Sequence, residues 1–109
     1  MNEYELKARN YHKDGNNCSN AVYLTFKDVL DLKEQPPMPR SIDGICGTVL
    51  TTEYVLRCIG KEELINEFRN EFISKFKYIK YLDLMKNGKK CNDYVGFAAR
   101  FISEHLKES

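Results

Sequence analysis

Between Lys61 and Lys77, the apolar residues Ile65, Phe68, Phe72 and Phe76 recur three or four positions apart, with charged residues filling many of the gaps. That spacing lines one side of an α-helix and no side of a strand, whose faces alternate at every second residue. A stripe of three phenylalanines needs other elements to cover it, so this helix commits the chain to a packed core. The same period returns elsewhere. Tyr4, Ala8 and Tyr11 predict a helix over Glu3–Lys13, and Val22, Phe26, Val29 and Leu30 predict one from Cys18 to about Leu32. Val95, Ala98, Ile102 and Leu106 predict a last helix from Cys91 to Lys107.

The breaks fall where residue chemistry places them. Asp14-Gly15-Asn16-Asn17 supplies C-cap and N-cap residue types in one short turn. Pro36, Pro37 and Pro39 predict an extended loop between Leu32 and Ser41. The next segment is less regular, because Thr48, Val49, Thr51, Thr52 and Val55 are β-branched and suit a strand too. Its length favours a helix from about Gly44 to Ile59, with Ser41 and Asp43 as candidate caps and Gly60 closing it. Tyr78 to Lys86 reads as a further short helical segment ending at Asn87-Gly88. The expected fold is all-α, a compact bundle of about five helices in a single domain over residues 1–109.

Composition narrows the functional classes. With 42% hydrophobic and 30% charged residues the chain has the balance of an ordinary globular protein. A net charge of +1 argues against nucleic acid or an anionic membrane as partner. Lys86, Lys89 and Lys90 form a short basic turn, read as a solvated loop in preference to a phosphate site. No apolar run approaches the ~20 residues that cross a membrane, and the charged N-terminal stretch is unlike a signal peptide. The expected location is cytoplasmic, where cysteines serve as thiols, metal ligands or redox groups rather than structural disulfides.

Four cysteines are present, and three of them, Cys18, Cys46 and Cys91, fall in or near the first turn of a predicted helix. Unpaired amides and the positive end of the helix dipole favour an anion there, which makes a thiol a better nucleophile, ligand or redox group. The competing reading treats each as a small buried hydrophobe. Cys58 lies twelve residues after Cys46 on the same predicted helix, about 18 Å away at 1.5 Å per residue, and reads as a core thiol. There is no CxxC pair. His12, six residues before Cys18, is a candidate fourth ligand, and His105 suits the C-terminal end of the last helix.

Four segments carry a family resemblance. Asn17-Cys18-Ser19-Asn20-Ala21-Val22 resembles the NCAQAV opening of the C_GCAxxG_C_C family of redox-active proteins, and Cys46-Gly47-Thr48-Val49-Leu50-Thr51 resembles its central CGAxxG motif. Phe76 through Met85 resembles the F…CRELL segment, and Lys90-Cys91-Asn92-Asp93-Tyr94-Val95 the closing C..LV helix. The resemblance implies redox work on Cys18, Cys46 and Cys91, and some relatives carry an iron–sulfur centre. The third family cysteine is replaced by Tyr81, the alanine and final glycine of CGAxxG by Thr48 and Thr51, and the preceding glycine-rich stretch by the proline loop. An iron–sulfur cluster takes four ligands, so His12, Tyr81 or a partner chain's residue would have to complete the set.

Three functions follow as expectations. The first is a small redox or metal-associated protein using Cys18, Cys46 and Cys91 for electron transfer, metal or iron–sulfur binding, or thiol–disulfide chemistry with a redox partner. The second is a scaffold without cofactor that binds another protein through exposed aromatics such as Tyr78 and Tyr81. The third is an enzyme with a cysteine nucleophile. A homodimer is compatible with each.

Overall fold

The computed structural model describes residues 2–30, 41–42, 44–88 and 90–106. The proline loop, the Asp43 cap, the Val29 side chain, Lys89 and Lys107 lie outside the described residues. Among those described, six α-helices account for nearly all regular structure, so the chain is an all-α bundle. None of these helices is long and apolar enough to cross a membrane.

Helix α1 spans Glu3–Lys13. Its cap, Asn2, accepts the Glu5 amide at 2.8 Å and donates to Ser103 Oγ at 2.9 Å, tying the start of α1 to α6 (Cys91–Leu106). Ala8 is fully buried on the expected stripe, and Tyr4 stacks on Phe26 of α2 (Cys18–Leu30) with ring centres 5.5 Å apart. The turn between α1 and α2 uses Gly15 at φ +108, a conformation that a side chain would oppose.

The segment after residue 41 departs from the expected helix. Ser41–Ile42 (β1) pairs antiparallel with Ile45–Cys46 (β2), and only then does helix α3 begin, over Gly47–Cys58. The outer side of β2 is also used. Ile45 bridges to Lys80, the Cys46 amide donates to Ile79 O at 2.8 Å, and the Tyr81 amide donates to Gly44 O at 2.8 Å. Residues 44–46 are thus extended because backbone on both sides takes up their hydrogen bonds. The same pairing keeps 78–80 out of a helix, so α5 starts at Tyr81 and ends at Lys86.

The stripe expected over 61–77 forms as a 3-10 turn at Glu62–Leu64 followed by α4, Ile65–Phe76. Phe68 and Phe72 are fully buried, while Ile65 and Phe76 are half-buried. Phe68, Phe72 and Phe76 interlock with Tyr94, Phe97 and Phe101 of α6 at ring separations of 4.7–6.0 Å. Each fully buried ring contributes ~1.5–3 kcal/mol by removing apolar surface from water, so this cluster anchors α4 to the bundle. Val95, Ala98 and Ile102 of α6 are fully buried as expected, and α6 makes its broadest contact with α1.

Helix α3 lies deep in the bundle, packed against α2 and α6. It nevertheless carries four buried polar side chains: Thr48, Thr51, Thr52 and Glu53. Thr52 Oγ1 donates to Thr48 O at 2.8 Å, and Glu53 is bonded to Arg69 of α4. The helix closes at Gly60, φ +75, with the Lys61 amide returning to Leu56 O at 2.8 Å.

Candidate functional site: a buried thiol pair at two helix starts

Each of the three singled-out cysteines sits at a helix start. Asn17 caps α2, its Oδ1 accepting the Asn20 amide at 2.8 Å, which makes Cys18 the first residue of that helix. Cys91 holds the same position in α6, one residue after Lys90, whose carbonyl accepts the Tyr94 amide at 3.1 Å. Cys46 is itself the residue preceding α3, at φ −57 and ψ 138, and is therefore a cap position rather than the first turn expected from a helix at Gly44. The hairpin moves it there.

Cys18 and Cys46 are brought together. Their thiols are hydrogen-bonded to each other, although 27 residues of chain separate them. They are unequally covered: Cys46 is 3% exposed and Cys18 half-buried. The hydrogen bond to Cys18, burial, and the charge that Cys18 carries when ionised all push the Cys46 thiol far above its ordinary range. The backbone amides of Thr48 and Val49 act in the opposite direction, but Cys46 closes no capping hydrogen bond and they do not prevail. Cys46 therefore keeps its proton and presents it to Cys18.

Three features hold this geometry. The β2 strand fixes the Cys46 backbone between β1 and residues 79–81. Gly47, directly after it, is buried, and Ser19, directly after Cys18, is 5% exposed. Helices α2 and α3 pack on each other, with the rings of Tyr23 and Tyr54 6.4 Å apart between centres.

The other candidates fall elsewhere. Among the described residues, no three His, Cys, Asp or Glu side chains are grouped so that they could hold a metal ion. Cys91, half-buried, therefore adds no third donor to the pair for that purpose. His12 Nδ1 meets Asn92 Nδ2 at 3.2 Å, across the α1–α6 contact. Tyr81 is joined to the Cys46 segment through its backbone, by its amide to Gly44 O. Among the described residues, the donors do not fit an iron–sulfur centre, which needs four ligands around one point.

Two sequence expectations need correction. Cys58, read as a core thiol, is exposed. It ends α3 on the side that also carries half-buried Tyr54 and exposed Arg57, the solvent edge of an otherwise covered helix. Tyr78 and Tyr81, read as exposed aromatics, are half-buried; the exposed apolar side chains of α5 are Leu82 and Met85. His105 lies in the last turn of α6, as expected, against the ring of Phe101.

No protein-family model, curated protein or solved structure matches this chain. The family resemblance accordingly rests on the residues quoted for it.

Proposed function

We propose that this protein is a small thiol–disulfide exchange protein in which Cys18 is the attacking sulfur and Cys46 the resolving one. The observation that supports this reading is the contact between two thiols of unequal burial, each placed at a helix start. The more accessible sulfur is the one a substrate disulfide can reach, and a thiolate there receives a hydrogen bond from Cys46.

The chemistry balances in two steps. The Cys18 thiolate attacks a substrate disulfide, forming a Cys18–substrate mixed disulfide and releasing one substrate thiolate. Cys46 then loses its proton to water and attacks the Cys18 sulfur, expelling the second substrate thiolate. The substrate gains two electrons, and the protein is left with a Cys18–Cys46 disulfide that an external thiol reductant returns to the dithiol. The order is favoured by the electrostatics. Once Cys18 is part of a disulfide, both its hydrogen bond and its charge no longer hold the proton on Cys46, while the Thr48 and Val49 amides still favour a thiolate there. Cys46 is thus inert until the first step has happened. This reading assigns no step to Cys91.

The test is to trap the intermediate. In a background with Cys58→Ser and Cys91→Ser, an aromatic disulfide is added to the full chain and the products are read by mass spectrometry. Cys46→Ser should accumulate an aryl mixed disulfide on Cys18, whereas the parent should release both aryl thiols and carry none. Equal accumulation in both proteins would refute Cys46 as the resolving thiol.

A further inference from the structure

We propose that the cleft between the end of α4 and the α5–α6 turn binds a small anion bearing a phosphate-type dianionic group. The cleft has a volume of about 280 Å³, and Lys75, Lys77 and Lys90 line it together with Asn87, Gly88 and Tyr94. Among the described residues, no carboxylate lines it. Among the described residues, none of the three lysines takes part in an ion pair. Lys77 and Lys90, with Lys75 at the border of the neighbouring cleft, create a positive field over one small volume that an anion relieves.

The neighbouring cleft shows the contrast. There Arg9, Arg100 and Lys75, which lies between the two clefts, are accompanied by Glu5 and Asp93, and Arg9 is paired with both acids at 3.1 and 3.0 Å. That cleft carries two acids of its own; the lysine cleft has none among the described residues. Backbone geometry adds to the case. Five described residues have positive φ, and four are glycines; the fifth is Lys77 at φ +76, where it ends α4. A glycine would take that conformation without strain, so a lysine there keeps a cation at the cleft against backbone preference. Lys75 Nζ lies 5.9 Å from the ring centre of Phe76, which lines both clefts, and 5.6 Å from that of Phe97, which lines the neighbouring one, so its side chain is held at the border between them. The start of the sixteen-residue α6, next to Lys90, adds the favourable end of a helix dipole.

Size selects the ligand class. The cleft is just below the range of typical ligand pockets, about 300 to 1,000 Å³, so it suits a phosphate with a small substituent and not a nucleotide or a strand.

Amide NMR of the full chain, titrated with inorganic phosphate or with glycerol phosphate against chloride at matched ionic strength, tests this. Saturable shifts are expected at residues 75–77, 87, 88 and 90, with affinity falling about fivefold or more in Lys77→Gly and in Lys90→Gln. Lys77→Gly relieves backbone strain, so loss of binding there cannot be ascribed to unfolding, and Lys13→Gln should leave the titration unchanged. Tighter binding of glycerol phosphate would assign the site to phosphate monoesters, and tighter binding of inorganic phosphate to the free ion. Shifts that never saturate, or that are the same in both cleft variants as in the parent, would overturn the proposal.

Discussion

The guanidinium of Arg9, on α1, occupies the space above Gly96, on α6, where any side chain at that position would begin. Arg9 is fixed there by Glu5 Oε2 at 3.1 Å, Asn92 Oδ1 at 2.9 Å and Asp93 Oδ1 at 3.0 Å, and Asn92 Nδ2 returns a hydrogen bond to Arg9 O at 3.1 Å. A mid-helix glycine ordinarily costs ~1 kcal/mol relative to alanine. Here the missing Cβ lets a charged network close the α1–α6 contact.

Gly96→Ala should therefore destabilise the protein by about 1–2 kcal/mol in urea unfolding, against the sign of helix propensity, because it drives the guanidinium off its partners. In an Arg9→Ala background the same substitution should become stabilising by up to ~1 kcal/mol. A cost that is the same in both backgrounds would mean that Arg9 is not what requires the glycine.

Glu53 is the one carboxylate buried in α3, and Arg69 of α4 is its closest partner; Arg57, more exposed, stands 3.9 Å away. Arg69→Met leaves that carboxylate in the core with only the weaker partner and should cost about 3 kcal/mol. The double variant Glu53→Gln/Arg69→Met should recover part of the loss, because a neutral amide is cheaper to bury. Chemical denaturation of the three proteins measures both effects. An Arg69→Met cost no larger than the ~0.5 kcal/mol of an ordinary surface change would contradict a structural role for this pair.

What the chain discloses about itself divides along local and non-local lines. Helices α1 and α6 and the Asn17 cap depend on neighbours within four residues, so Tyr4-Ala8-Tyr11 and Val95-Ala98-Ile102 declare them in sequence. The hairpin at 41–46 does not. Strands of two residues have no periodicity to read, and the second partner of Ile45-Cys46 lies more than thirty residues downstream at 79–81. The same limit applies to the site. Three cysteines at helix starts were legible, but which two meet depends on how α2 and α3 pack. Cys58 was misread because α3 is covered nearly all round, so its run of Thr and Val gives no clear polar side to mark the solvent edge.

The covered proton of Cys46 has a consequence for reactivity. With Cys58→Ser and Cys91→Ser in place, iodoacetamide at neutral pH should label Cys18 well before Cys46, whose ionisation is pushed upward by Cys18 and by burial. In Cys18→Ser the hydrogen bond to a sulfur anion and the repulsive charge are both lost while burial remains. The pH at which Cys46 begins to react should then move down toward the ordinary thiol range without reaching it. A pH–rate profile for Cys46 that is unchanged by Cys18→Ser would show that the two sulfurs do not interact.

The most direct measurement is the disulfide map of the oxidised chain. The Cys18 and Cys46 thiols interact with each other, whereas Cys58 lies at the far end of α3 from Cys46. After equilibration in a glutathione redox buffer, alkylation and peptide mass spectrometry should find one intramolecular disulfide, joining Cys18 to Cys46, with Cys58 and Cys91 outside it. A chain that keeps Cys18 and Cys46 as alkylatable thiols across the whole redox range, or that links either of them to Cys91 instead, would contradict the exchange mechanism.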